Sequence, residues 1–88
     1  MNREELKNHL DALEIYPEFY SLEGNILPDR IVLYYNYTKW EVFYFDERGN
    51  RDNEKVFFSE NDACNYIYEY FERQKKIIMQ ARNATKIK

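Results

Sequence analysis

Residues 31–45, IVLYYNYTKWEVFYF, decide the fold. Bulky apolar or aromatic side chains fill nearly every position, which suits two strands, and Thr38-Lys39 in the middle is the expected tight turn. Turning there sets Tyr37 opposite Trp40. Side chains alternate along a strand, so Ile31, Leu33, Tyr35, Tyr37, Trp40, Val42 and Tyr44 share a first face. Val32, Tyr34, Asn36, Glu41, Phe43 and Phe45 share the second. A sheet needs one apolar face to fold, and three large aromatics interleaved with Asn and Glu exceed what a solvent face requires. The second face is therefore expected to meet the first helix or a partner.

Working outward, Asp46-Glu47-Arg48-Gly49-Asn50 makes a turn whose Gly stands where a three-residue hairpin loop needs positive φ. The strand beyond it is expected to place Arg51 near Phe45, Asn53 near Phe43 and Lys55 opposite Glu41, with Val56 on the first face. Upstream, Glu18 to Leu22 suits a further strand, turned by Glu23-Gly24-Asn25, and Pro28-Asp29 punctuates the way into the hairpin. Two helices frame this sheet. Asn2 and Glu5 have capping-box spacing, and Leu6, Leu10 and Leu13 recur at helical intervals from Arg3 to about Ile15, until Pro17 biases Tyr16 away from the helix. Ser59 and Asp62 read as a second cap, followed by a stripe of Ala63, Ile67, Phe71, Gln74 and Ile78 with Cys64 and Tyr70 on its flanks. A helix from Glu60 to about Asn83 spans roughly 36 Å against roughly 20 Å for a six-residue strand, so its last turns overhang the sheet. The expected fold is α+β: a helix, a three- to four-stranded antiparallel meander and a long C-terminal helix. It forms a single domain over residues 1–88, with a basic helical extension from about residue 73.

Composition narrows the function classes. The 88 residues are 44% hydrophobic and 33% charged with two Gly and two Pro, the balance of an ordered globular chain. The first fifteen residues mix acids and bases and hold no apolar run, so neither a secretion signal nor a membrane span is expected there. A lone cysteine, Cys64, fits a reducing compartment, and a cytoplasmic location is the simplest expectation. The net charge of −3 hides an asymmetry: residues 73–88 hold six bases and no acid, whereas the other 72 hold seven bases and all sixteen acids. A body at −9 repels phosphate backbones and attracts basic partners; a tail at +6 sits where a helix C-terminus favours cations.

Catalytic and metal constellations do not emerge from the spacing, and no cofactor is expected. His9 is the only histidine, and its place on a Leu-rich helix reads as structural. Cys64 lies on a core stripe without a Cys or His partner. The acids and amides of residues 46–54 lack the alternating ligands, sixth-position Gly and twelfth-position Glu of an EF-hand, so they read as a solvated hairpin tip. The element order matches that of double-stranded-RNA-binding domains, but the second helix opens with Ser59, Glu60, Asn61 and Asp62, acidic where phosphate contact requires lysines. Nine tyrosines supply rigid contact area with a hydrogen-bonding end. Residues two apart on a helix point to different sides, so at least one of Tyr66, Tyr68 and Tyr70 is expected to be exposed.

From Tyr20 to Phe71 the tyrosine-rich hairpin, its D-E-R-G-N turn, a short charged strand and SENDACNYIYEYF resemble the small immunity proteins of bacterial polymorphic or contact-dependent toxin systems. The resemblance implies a small, cytoplasmic, acidic, noncatalytic protein that neutralises a cognate toxin domain by binding it. Many such toxins are nucleases with basic clefts, which matches the acidic body. The expected partner-binding residues, read from the chain itself, are Tyr34, Glu41, Phe43, Asp46, Glu47, Asp52 and Glu54, where acids and aromatics coincide. An alternative reading is an interaction or regulatory module assembling through its basic C-terminal helix, as a homodimer through Ile77, Ile78 and Met79. Nucleic acid is not the expected partner of the body, and no membrane contact is expected.

Overall fold

Asn2 closes the first helix as its spacing requires. In the computed structural model, which describes residues 1–87 and their side chains as far as Ile77, the Asn2 side chain accepts from the Glu5 backbone N–H at 2.8 Å. The Glu5 carboxylate returns the contact to the Asn2 backbone N–H at 3.1 Å. This capping box starts α1, Arg3–Ala12. The helix stops before Pro17 acts on it. Glu14 takes the left-handed conformation (φ 62°), the Ile15 N–H reaches back to the Leu10 carbonyl at 2.9 Å, and the Glu14 N–H reaches Asp11 at 3.0 Å. That is a Schellman closure made with Glu where Gly is usual, which shortens the helix relative to the expected end at Ile15.

Four strands follow in the order β1 (Tyr20–Ser21), β2 (Arg30–Asn36), β3 (Lys39–Phe45) and β4 (Arg51–Phe57), neighbours in sequence and in the sheet. The expected α+β architecture is the observed one. The sheet is mixed, because β1 pairs with β2 in parallel while the other two pairings are antiparallel. Pro17 starts a 3-10 turn over Pro17–Phe19, which takes Glu18 and Phe19 from the expected first strand and leaves β1 only two long.

The central hairpin pairs Tyr35 with Trp40 and Asn36 with Lys39, so the turn falls on Tyr37-Thr38, two positions from the expected register. The observed register aligns Ile31 with Tyr44 and Leu33 with Val42, where the expected one would have set Ile31 against Asp46. A slip of two preserves the alternation, so the assignment of β2 and β3 residues to faces is unchanged. The cost falls on Tyr37, held at φ 60° at the tip with its side chain 89% exposed.

In β4 a bulge does alter the faces. Pairing runs Phe45 to Arg51 and Tyr44 to Asp52, then resumes at Val42 to Lys55 and Glu41 to Val56, so β4 carries an extra residue at Asn53 and Glu54. Asn53 adopts φ 54°, as a residue in such a bulge can. Lys55 therefore lies opposite Val42 rather than Glu41. Val56 moves to the second face, against expectation.

Ser59 caps α2, Glu60–Ile87, by accepting from the Asp62 N–H at 3.1 Å. Both helices pack on the first face. Leu6 and Leu10 of α1 and Ala63, Cys64, Ile67 and Phe71 of α2 join Tyr20, Leu22, Ile31, Leu33 and Val42 in one buried cluster. Arg3 ties the two helix starts together: its Nε donates to Glu60 at 3.1 Å, its Nη1 to Glu23 at 3.3 Å, and its guanidinium lies 5.6 Å from the Trp40 ring. At 28 residues, α2 reaches about 42 Å along its axis, well past strands of seven residues.

Candidate functional site

With both helices on the first face, the second face of the sheet lies on the side away from them. The ladder registers assign to it Arg30, Val32, Tyr34 and Asn36 of β2, Lys39, Glu41, Phe43 and Phe45 of β3, and Arg51 and Val56 of β4. Val32 and Phe43 are fully buried yet lie outside the helix-packed cluster. Phe43 is roofed from the side of β4, where the Arg51 guanidinium lies over its ring at 4.3 Å, a cation–π contact. Phe45 meets it edge-on at 6.5 Å. Tyr34 and Phe45 are half-buried, and Val56 is exposed.

The charge on this face differs from what residue order implies. Glu41 is engaged within it: Asn36 donates to Glu41 Oε2 at 3.1 Å, and Arg51 Nη1 stands 3.9 Å from Glu41 Oε1. Arg30, Lys39 and Arg51 share the face by register, and the Arg30 guanidinium donates to the carbonyls of Pro17 and Tyr20 at 3.2 and 3.4 Å. The open face is thus an aromatic surface with more bases than acids. Glu54 stands at the bulge beside Phe43, and exposed Phe58 follows β4.

The remaining acids gather elsewhere. Asp46 is locked into its own turn, its Oδ1 accepting from the Arg48 N–H at 2.9 Å and the Asn50 N–H at 2.8 Å, and Gly49 supplies the anticipated positive φ of 86°. These backbone donors hold its carboxyl below the usual range. Asp52 lies across the ladder from Tyr44, which belongs to the helix-covered face. The Tyr44 hydroxyl donates to Asp29 Oδ1 at 3.2 Å. Desolvation first, then Asp29 with the further charges of Asp46 and Glu47, pushes the Tyr44 hydroxyl above its ordinary pKa. Of the seven expected contact residues, then, Tyr34, Glu41 and Phe43 share the open face, Glu54 stands at the bulge, and Asp46, Glu47 and Asp52 stand near Tyr44 at the far end of the hairpin. Asp29 joins that acidic end and was not foreseen as a site residue. Its signal was positional: it follows Pro28, takes φ 58°, and donates its N–H to the Phe45 carbonyl at 2.7 Å.

His9 is exposed and rests against the Tyr68 ring at 5.5 Å. Cys64 is buried, and desolvation pushes its thiol up to about 11, so at neutral pH it is a protonated core side chain. Tyr66, Tyr68 and Tyr70 are all half-buried, contrary to the expectation that one would be exposed. Ile67 occupies the centre of the stripe while the rings lean outward onto Phe57, His9 and Phe71 at 5.3, 5.5 and 5.2 Å. Among the described residues no group of three or more His, Cys, Asp or Glu could hold a metal, and no helix is long and apolar enough to cross a membrane. Ile77 is 59% exposed, while the side chains of Ile78 and Met79 lie outside the described residues.

In comparisons with known proteins, no family model, no curated sequence and no solved structure matches this chain.

Proposed function

We propose that the protein is a noncatalytic, cytoplasmic inhibitor of the immunity type, binding a cognate bacterial toxin domain and occluding its active site. The observation that carries this reading is the placement of both helices on one side of the sheet, with an aromatic face on the other. Aromatic rings and Arg side chains are the residue types that anchor tight protein interfaces, and Tyr34, Phe45 and exposed Arg51 stand together here. The −9 body supplies the long-range field that speeds encounter with a basic partner, and a nuclease with a basic cleft is the toxin class that best complements it. The acids that do the steering are Glu47, Asp52 and Asp29 at the end of the hairpin, rather than Glu41 within the face.

The test begins at the neighbouring gene: a toxin domain encoded there is the partner to assay, and its absence counts against this reading. Tyr34→Ala combined with Val56→Arg is expected to weaken binding by about tenfold or more, the scale of a lost anchor, without loss of the folding transition. Glu47→Lys with Asp52→Lys is expected to slow association at low salt while leaving dissociation nearly unchanged. Wild-type affinity in the first variant removes the open face from the interface, and a wild-type on-rate in the second removes the acidic steering. A second reading, assembly through α2, is favoured by exposed Ile77. Truncation before Ile77 that turns a dimer into a monomer in sedimentation would support it.

A further inference from the structure

The acids near Tyr44 border an apolar groove on the helix-covered side of the sheet. Ile15, Phe19, Ile31, Tyr44, Tyr70 and Phe71 line a hollow of about 380 Å³ between the sheet end and α2, with Asp29 and Gln74 supplying its polar groups. Ile31 and Phe71 are buried and form its floor, while Phe19 is half-exposed as an outer wall. The volume and the predominance of aliphatic and aromatic lining suit a site that takes an apolar group. Asp29 bonds to the Tyr44 hydroxyl on the lining, and Asp29, Asp46 and Glu47 together border an adjoining hollow with Arg48. Asp52 stands beside Tyr44 across the ladder. At the sheet end of the groove and the hollow beside it stand four carboxylates, Asp29, Asp46, Glu47 and Asp52, with Arg48 among them, whereas Lys75, beyond Gln74, is already paired with Glu14 at 3.7 Å.

An occupant must satisfy both halves. A lipid chain or other neutral apolar ligand gains nothing from the carboxylates, and an anionic one is repelled by them. A bare cation gains nothing from the apolar walls. We infer that the groove takes an aliphatic side chain from a basic segment of a protein partner, with a neighbouring Lys or Arg of that segment against Asp29, Glu47 and Asp52. The identity of that protein rests on the function proposed above, and the groove adds to it a second contact on the opposite side of the sheet from Tyr34.

Titration of the full chain with the blocked dipeptide Ac-Leu-Arg-NH2, followed by NMR of methyl and aromatic groups, tests the groove without the partner. Saturable shifts are expected at the Ile31 methyls and the Tyr44 and Phe71 rings. Ac-Leu-Glu-NH2 and Ac-Gly-Arg-NH2 are expected to bind more weakly, the former by up to about fivefold per ion pair lost. Asp29→Asn with Asp52→Asn is expected to erase the preference for Arg over Glu, and Phe19→Ser, at a half-exposed position compatible with folding, to weaken both Leu peptides. Absence of saturable shifts at the groove, equal binding of the Arg and Glu peptides, or shifts confined to Tyr34 and Phe45 would each overturn the inference. Because no toxin enters this experiment, its failure leaves the inhibitor reading to its own assay, and failure of that assay leaves the groove result standing.

Discussion

The two faces of the sheet bury side chains to the same depth by different means. On the covered face, Leu33 and Val42 are shielded by whole helices, with Ile67 and Phe71 packed into them along one stripe. On the open face, Val32 and Phe43 are equally buried, yet the Phe43 ring is roofed by a long side chain, Arg51. A helix shields many neighbours at once and cannot leave without unfolding. A guanidinium can swing aside, uncovering a flat aromatic surface at small cost. The first arrangement holds the fold together; under the proposed function the second keeps contact area in reserve, so variants on the two faces should separate stability from binding.

Ile67→Ala should have the largest effect. It empties a fully buried site between α2 and the sheet, and a loss of about 2–5 kcal/mol is expected in denaturant unfolding. Arg51→Ala comes next. Removing the roof over Phe43 and the partner of Glu41 should cost about 1 kcal/mol in stability, the scale of a cation–π contact with a weak ion pair. In exchange it should increase binding of a hydrophobic dye. A loss as large as that of Ile67→Ala would mean that the open face is a second core and would end the contrast. The smallest effect is expected at Tyr20, whose buried hydroxyl has no hydrogen-bond partner. Tyr20→Phe should leave stability unchanged or raise it by up to about 1 kcal/mol, measured as a shift of the denaturant midpoint.

The same contrast separates what was legible in the chain from what was not. Caps at Asn2 and Ser59 depend on residues within a turn of each other, so local spacing revealed them. The division of β2 and β3 into faces is also local, because alternation survives any slip of two. Register is less so: placing Tyr35 rather than Tyr37 on Trp40 depends on matching both strands along their length, and the rings stand 4.4 Å apart once matched. The bulge at Asn53 was hidden for another reason. An extra residue changes no composition and no motif, yet it reverses the sides of every position beyond it, which is how Val56 came to the open face. The candidate site was divided by that same limit. Acids and aromatics adjacent in sequence proved to belong to two ends and two faces, and Asp29 could join the acidic end only through the pairing of β2 with β3.

The bulge also bears on how copies of this protein share a crowded solution. β4 is the long edge of the sheet, exposed along nearly its whole length, and an unbroken row of free backbone groups there would invite another strand to continue the ladder. The bulge at Asn53 and Glu54 interrupts that row between Arg51-Asp52 and Lys55-Val56-Phe57, and the acid and base flanking the break make any straight template electrostatically uneven. A polymer cannot easily start from so short a run. The residue that reassigns Val56 to the aromatic surface thus also acts as a guard against uncontrolled fibre growth.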